Sequence, residues 1–114
     1  MFKITFTGHA GKDAEVKANA QTGELFATFS VAVKTGTKEN PRTEWVDVIC
    51  GGKYTEVAEK FVKSGSKVLI EGTPRAQGFV GKEQKINAKL ACSVITLELL
   101  DRKPDDDTAS VDEE

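Results

Sequence analysis

Residues 43–72, TEWVDVICGGKYTEVAEKFVKSGSKVLIEG, change periodicity twice, and few folds accommodate that pattern. Trp45, Val46, Val48 and Ile49 form a β-branched and aromatic run suited to a strand. Gly51 and Gly52 break it. Tyr54, Val57, Ala58, Phe61 and Val62 then recur at helical spacing, with Glu56, Glu59, Lys60 and Lys63 on the other side. Ser64-Gly65 is the expected helix stop, because glycine accepts the left-handed backbone of many helix ends. Lys67 to Glu71 is extended again. The unit therefore reads as strand, helix, strand, with the chain's only Trp in its first strand.

The flanking segments read as strands. Phe2, Ile4 and Phe6 alternate with Lys3, Thr5 and Thr7, the period of a half-buried strand. Gly8 and Gly11 bracket a bend, and extended character resumes over Asp13–Ala18, as where a long strand turns a barrel corner. Asn19–Gly23 is a hairpin loop. Glu24–Lys34 is the next strand, with Ala27, Phe29, Val31 and Val33 on one face. Thr35–Arg42, TGTKENPR, reads as a flexible connection able to reach over a ligand. Pro74 cannot donate to a ladder, so the strand running through Thr73 and Arg75 to Phe79 needs an edge or a bulge there. Residues 80–84, VGKEQ, form a hairpin tip. Lys85–Leu100 is the final strand, with a bulge expected near Ser93. There the apolar parity changes from Ile86, Ala88 and Leu90 to Ile95, Leu97 and Leu99.

Strand, strand, strand, helix, strand, strand is the order of a five-stranded Greek-key barrel, the OB-fold: all-β with one helix. An α+β sheet with one covering helix is the alternative. The chain of 114 residues suits one domain, assigned to residues 1–100. Residues 101–114, DRKPDDDTASVDEE, hold too little apolar surface to offset the entropy of ordering, which predicts a disordered acidic tail. The formal charge of −2 hides an asymmetry. Residues 1–100 carry 14 Lys/Arg and 11 Asp/Glu; residues 101–114 carry 2 and 7. A mildly basic body thus precedes an acidic tail.

Several function classes find no support. No apolar run approaches the roughly 20 residues of a membrane helix, and no signal peptide is visible, so a cytoplasmic place is expected. Cys50 and Cys92 match no metal or redox spacing and read as buried, reduced thiols. His9 is the only histidine and has no evident nucleophile beside it; it reads as a polar surface residue of the bend. No phosphate-cradling glycine loop or HExxH motif occurs. No enzyme, cofactor or metal site is expected.

Local patterns resemble one family, the bacterial and phage single-stranded DNA-binding proteins. Residues 3–16, KITFTGHAGKDAEV, look like its opening strand and bend, with Gly8, Gly11, Asp13 and Glu15 in place. Residues 26–32, FATFSVA, resemble its second strand. The most specific match is Thr43-Glu44-Trp45, then Gly52-Lys53, Glu56-Val57-Ala58, Gly65-Ser66 and Val68–Gly72, in that order and spacing. The resemblance covers residues 1–100. It implies an OB-fold, usually a homotetramer, that coats single-stranded DNA without sequence specificity in replication, recombination and repair. It also implies the host cytoplasm or nucleoid, including that of a phage-infected cell.

The resemblance implies base platforms at Trp45 and Phe79, and phosphate contacts at Lys53, Arg75, Lys34, Lys3 and Lys17. On periodicity alone Trp45 is equally a core residue. Phe79 lies beside the hairpin tip, where an aromatic is hard to explain as packing. Any single lysine is otherwise an ordinary solvated charge. Lys38 and Arg42, in the polar connection, are secondary candidates. Phe2, Phe6, Phe29 and Phe61 fit core faces, whereas Phe26 and Tyr54 read as core or subunit contacts. Stacking suits sequence-independent binding because every base has a π-face.

Departures from the family pattern are Val46 for a histidine, Asp47 where a basic residue is common, and Gly51 where an aromatic stacks. No aromatic stands in the Thr35–Thr37 stretch. Weaker binding that leans on charge is expected. The tail has Asp105, Asp106 and Asp107 but ends Val111-Asp-Glu-Glu114, without the aromatic tip that docks replication and repair proteins, so such recruitment is not expected. The rival function is an OB-fold, primosome-type subunit that mainly contacts proteins.

Overall fold

The computed structural model describes residues 1–80 and 86–100, without the side chains of Phe79, Ile86 and Asn87. The elements are β1 Ile4–Ala10, β2 Glu15–Ala18, β3 Leu25–Gly36, β4 Pro41–Cys50, α1 Lys53–Phe61, β5 Lys67–Val80 and β6 Ile86–Leu99. The sheet order is β1-β5-β6-β4-β3-β2, and an additional β1–β3 pairing closes it. Five strands thus form the closed barrel, and β2 continues the bent first strand along β3. All pairings are antiparallel except β4 with β6.

Closure depends on Gly8. A Cβ there would collide with the Ala32 carbonyl oxygen and approach Val31 Cγ1 at 2.6 Å. Only a bare backbone lets β1, still paired with β5 as far as His9, come close enough to pair through His9 and Ala10 with β3 as well. The bend after β1 is then tied down from behind. Ala10 N–H donates to the Ser66 carbonyl at 2.8 Å, Gly65 N–H to the Ala10 carbonyl at 2.8 Å, and Ser64 N–H to Asp13 Oδ1 at 2.8 Å.

The core holds Phe29, Val31, Val46, Val48, Val68, Ile70, Cys92 and Leu97 from the strands. Helix α1 adds Tyr54, Val57 and Ala58, and Val62 follows just after it. Cys50 and Cys92 are both buried and unbridged. Phe61 and Phe6 pack at the core's margin. Phe2 does not: it lies before the first pair, Ile4 with Gly72, and is 71% exposed because no strand remains to cover it. His9 is exposed.

Several boundaries differ from the sequence expectation. The helix ends before Gly65, because Val62 is already extended, with φ −87° and ψ 109°. Gly65, at φ 90°, instead shapes the turn into β5. The bulge falls at Ile95, two residues beyond Ser93: Glu71 pairs with Thr96, and Gly72 with Val94. Ile95 is extruded and exposed, and parity moves from Cys92 and Val94 to Leu97 and Leu99. Ala88 is exposed as well, opposite Gly78 in the β5–β6 ribbon short of the first β4–β6 pair, and Leu90, which opens that pairing opposite Val46, is still 38% exposed. Pro74 stands past Gly72, where the pairing of β5 with β1 has ended, so its missing donor costs no β1–β5 bond.

The segment expected as a flexible connection, Thr35–Arg42, is mostly a hairpin. Thr35 pairs with Arg42 and Gly36 with Pro41, leaving residues 37–40 as the tip. Thr37 and Asn40 exchange backbone bonds across it. Gly36, at φ 86°, allows the close turn. The Asn19–Gly23 loop forms as expected, with Asn19 Oδ1 accepting from the Gln21 and Thr22 amides. The expected tip at residues 81–84 and the tail at 101–114 lie outside the described residues.

Candidate nucleic-acid interface

Alternation assigns the two faces of β3 and β4. Val46, Val48 and Cys50 point inward, so Trp45, Asp47 and Ile49 point outward. Across the ladder, Trp45 pairs with Ala32 and Asp47 with Ser30. Trp45 is 56% exposed, which settles the choice between core and surface. Its indole lies over Gly11, where an added Cβ would come within 2.7 Å of Cζ3 and 3.0 Å of Cη2. Lys34 pairs with Thr43 and is the diagonal neighbour of Trp45 on this face, about 7 Å away between backbones.

One pleat below Trp45, about 7 Å along the strand, a groove of about 250 Å³ opens. Its polar lining includes Lys12, Lys17, Ser30, Asp47, Gln77 and Lys89. Three cations therefore face one carboxylate. Asp47 Oδ1 accepts from the Ser30 hydroxyl at 3.3 Å, and Asp47 Oδ2 lies 3.3 Å from Lys89 Nζ. Gly11 N–H donates to the Ser30 carbonyl at 2.8 Å, which places Lys12 at the groove's rim. Glu15 ties Lys12 loosely, at 3.7 Å. An exposed aromatic surface and a cationic channel thus adjoin on this face.

The sequence candidates do not all meet. Trp45, Lys34 and Lys17 lie on the β2–β3–β4 face. Arg75 is exposed on β5 and pairs with Ala91, whose other neighbour is Asp47, so it flanks the groove two strands away. Phe79 pairs with Asn87 farther along the β5–β6 ribbon; its side chain lies outside the described residues. Lys53 begins α1, with Nζ 5.2 Å from the Tyr54 ring centroid. Lys3 is engaged on the β1–β5 wall, 3.4 Å from Glu71 Oε1.

Lys12, Lys89 and Gln77 were missed. Lys12 was legible beside Gly11 in the bend. Lys89 and Gln77 were not, because they pair with each other across β5 and β6 and reach the groove only through the parallel β4–β6 register. Phe26 is half-buried and pairs with Lys17 on the outer face. With Leu25, Ile49 and Gly51 it lines a second cleft, of about 360 Å³.

The model of the Single-strand binding protein family matches residues 1–100. The chain belongs to that family. A single-stranded DNA-binding protein 1 of Synechocystis sp. is 32% identical over 111 residues, covering 95% of this chain and 90% of that protein. A single-stranded DNA-binding protein of Bacteroides thetaiotaomicron is 28% identical and covers 89% of this chain. The chain spans 66% of the length of that Bacteroides relative. Among solved structures, a Plasmodium falciparum SSB complex with ssDNA superposes with a TM-score of 0.70 at 21% identity. The match covers 89% of this chain and 96% of that one. This likeness establishes the OB-fold barrel. No helix of the described residues is long and apolar enough to cross a membrane. No cluster of three potential metal ligands occurs among them.

Proposed function

We propose that this chain coats single-stranded DNA without strict sequence preference, without catalysis, in replication, recombination or repair. The observation that carries it is the exposed Trp45 indole, propped on Gly11, beside a groove lined by Lys12, Lys17 and Lys89. Bases stack on the ring while the lysines neutralise phosphates. Lys34 and Arg75 extend the cationic track, and Phe79 supplies a second platform at the ribbon. Lys53 and Lys3 contribute only if the strand wraps beyond this face. Family membership and the names of the relatives support the same reading.

The test is a titration of Trp45 fluorescence with poly-dT at several salt concentrations. Strong quenching is expected, with log affinity falling linearly in log salt at a slope near −0.7 for each phosphate neutralised. Absence of both quenching and binding near physiological salt would remove the proposal and favour the protein-contacting subunit.

Residues 1–100 act in this reading as one binding domain, in the cytoplasm or on the nucleoid, that assembles into a homo-oligomer, with a tetramer favoured. Exposed Phe2, Val80 and Ile95 supply apolar surface for such contacts. Sedimentation equilibrium reads the assembly, and a monomer at all concentrations rejects it. The acidic segment 101–114 competes with DNA for the groove. Ending the chain after Leu100 then raises affinity at low salt, and unchanged affinity rejects the competition.

A further inference from the structure

A carboxylate is an odd lining for a groove that takes phosphate, since like charges repel. Asp47 nevertheless lines it, one pleat from Trp45, facing outward. Its known contacts do not exhaust it. A carboxylate offers about four acceptor positions, and Asp47 uses one on Ser30 and one on Lys89, both at a long 3.3 Å. The pair Lys89–Asp47 therefore presents a donor beside two acceptors within the groove's lining.

From this arrangement, and resting on the DNA-binding reading above, we propose that the Lys89–Asp47 pair is a base-reading subsite that favours guanine within otherwise sequence-tolerant binding. A single-stranded base exposes its pairing edge. Guanine offers there an acceptor, O6, followed by two donors, N1–H and the 2-amino group. That order is the complement of an ammonium followed by a carboxylate. Cytosine offers two acceptors and one donor, adenine one of each, and thymine a donor between two acceptors. None of these satisfies both carboxylate oxygens and the ammonium together. A base stacked on Trp45 and a neighbour turned into the groove are one nucleotide step apart, which matches the single pleat between Trp45 and Asp47.

The experiment compares three oligonucleotides of one length: oligothymidylate, the same strand with isolated dG residues, and the same strand with deoxyinosine in their place. Isolation in thymine prevents guanine quadruplexes, and inosine keeps O6 and N1–H but lacks the 2-amino donor. The dG strand should bind about five- to tenfold tighter than oligothymidylate, the lower end of what one bidentate base contact gives, with the inosine strand between them. Asp47→Asn substitutes a donor for one acceptor and should bring the dG:dT ratio close to one. Removing the charge raises affinity for every strand alike, so the ratio cancels it. Lys89→Ala should lower the ratio while preserving the gap between dG and inosine. Equal binding of the three strands by the unaltered protein overturns the subsite and leaves DNA coating intact. A ratio that persists in Asp47→Asn also overturns it. No binding to any strand overturns both.

Discussion

The Trp45 indole rests on the bare backbone of Gly11, and a single methyl group at residue 11 would sit 2.7 Å from the ring. The bend of the first strand therefore fixes the attitude of an aromatic on the fourth. Trp45→Ala should weaken single-strand binding by about 1–3 kcal/mol, the worth of one stacked base. Gly11→Ala should displace the ring and lose part of that, with little change in thermal stability, because the ring is largely exposed. Titration of both variants, beside their melting curves, checks the relationship. Equal affinity of Gly11→Ala and the unaltered protein would show that the ring's attitude is immaterial.

Gly51 occupies the position where the family pattern has an aromatic. A Cβ there meets nothing within 4 Å, and the cleft beside it is bounded by Phe26 and Ile49. Gly51→Phe is thus accommodated and adds a platform on the same side of β4. Affinity for oligothymidylate should rise by about 1–3 kcal/mol, with a weaker salt dependence relative to total affinity. No gain would mean that the strand does not travel toward α1.

Gly8→Ala probes the closure itself. The new methyl group meets the Ala32 carbonyl and Val31 Cγ1, backbone and core, neither of which can give way cheaply. A loss of about 1–3 kcal/mol is expected from such overpacking. Denaturant unfolding measures it, and a neutral substitution would contradict the close β1–β3 approach.

Burial, with a smaller push from neighbouring Cys92, raises the Cys50 thiol from 9.0 to about 12. Burial raises Cys92 as well. Between the unfolded and folded values the native state holds a proton that the unfolded chain has released. Stability from Cys50 is complete below pH 9.0 and is lost as pH climbs toward 12. The slope is about 1.4 kcal/mol per pH unit. Urea unfolding at rising alkaline pH should show a steeper decline for the native chain than for Cys50→Ala. Parallel declines would mean that the thiol is not sealed from water.

Local signals carried the elements. The helical spacing of Tyr54, Val57, Ala58 and Phe61, the glycine pair before it, and the alternation along β3 are properties of neighbouring residues, and the chain shows them wherever it folds. Order and spacing of those elements then specify a five-stranded barrel with one helix, and the same spacing exposed the family. A bulge was legible as a parity change, though its site moved to Ile95, because extrusion is settled by which carbonyls the opposing Gly72 can approach. Composition misled at Thr35–Arg42: polar residues with Gly and Pro also make a hairpin when a neighbouring strand supplies the ladder.

The candidate binding face belongs to tertiary structure. Trp45 as core or surface was undecidable from periodicity, since alternation gives two faces without saying which is wet. The barrel's closure at Gly8 makes one face the inside and turns Trp45, Asp47 and Ser30 out. Lys89 reaches Asp47 only because β6 runs parallel to β4 in one register, a pairing across some forty residues of chain that no local pattern encodes. The sequence thus determined the strands, the helix and the family. Packing decided which side chains share the groove, because that choice rests on strand register and sheet closure, and both are long-range.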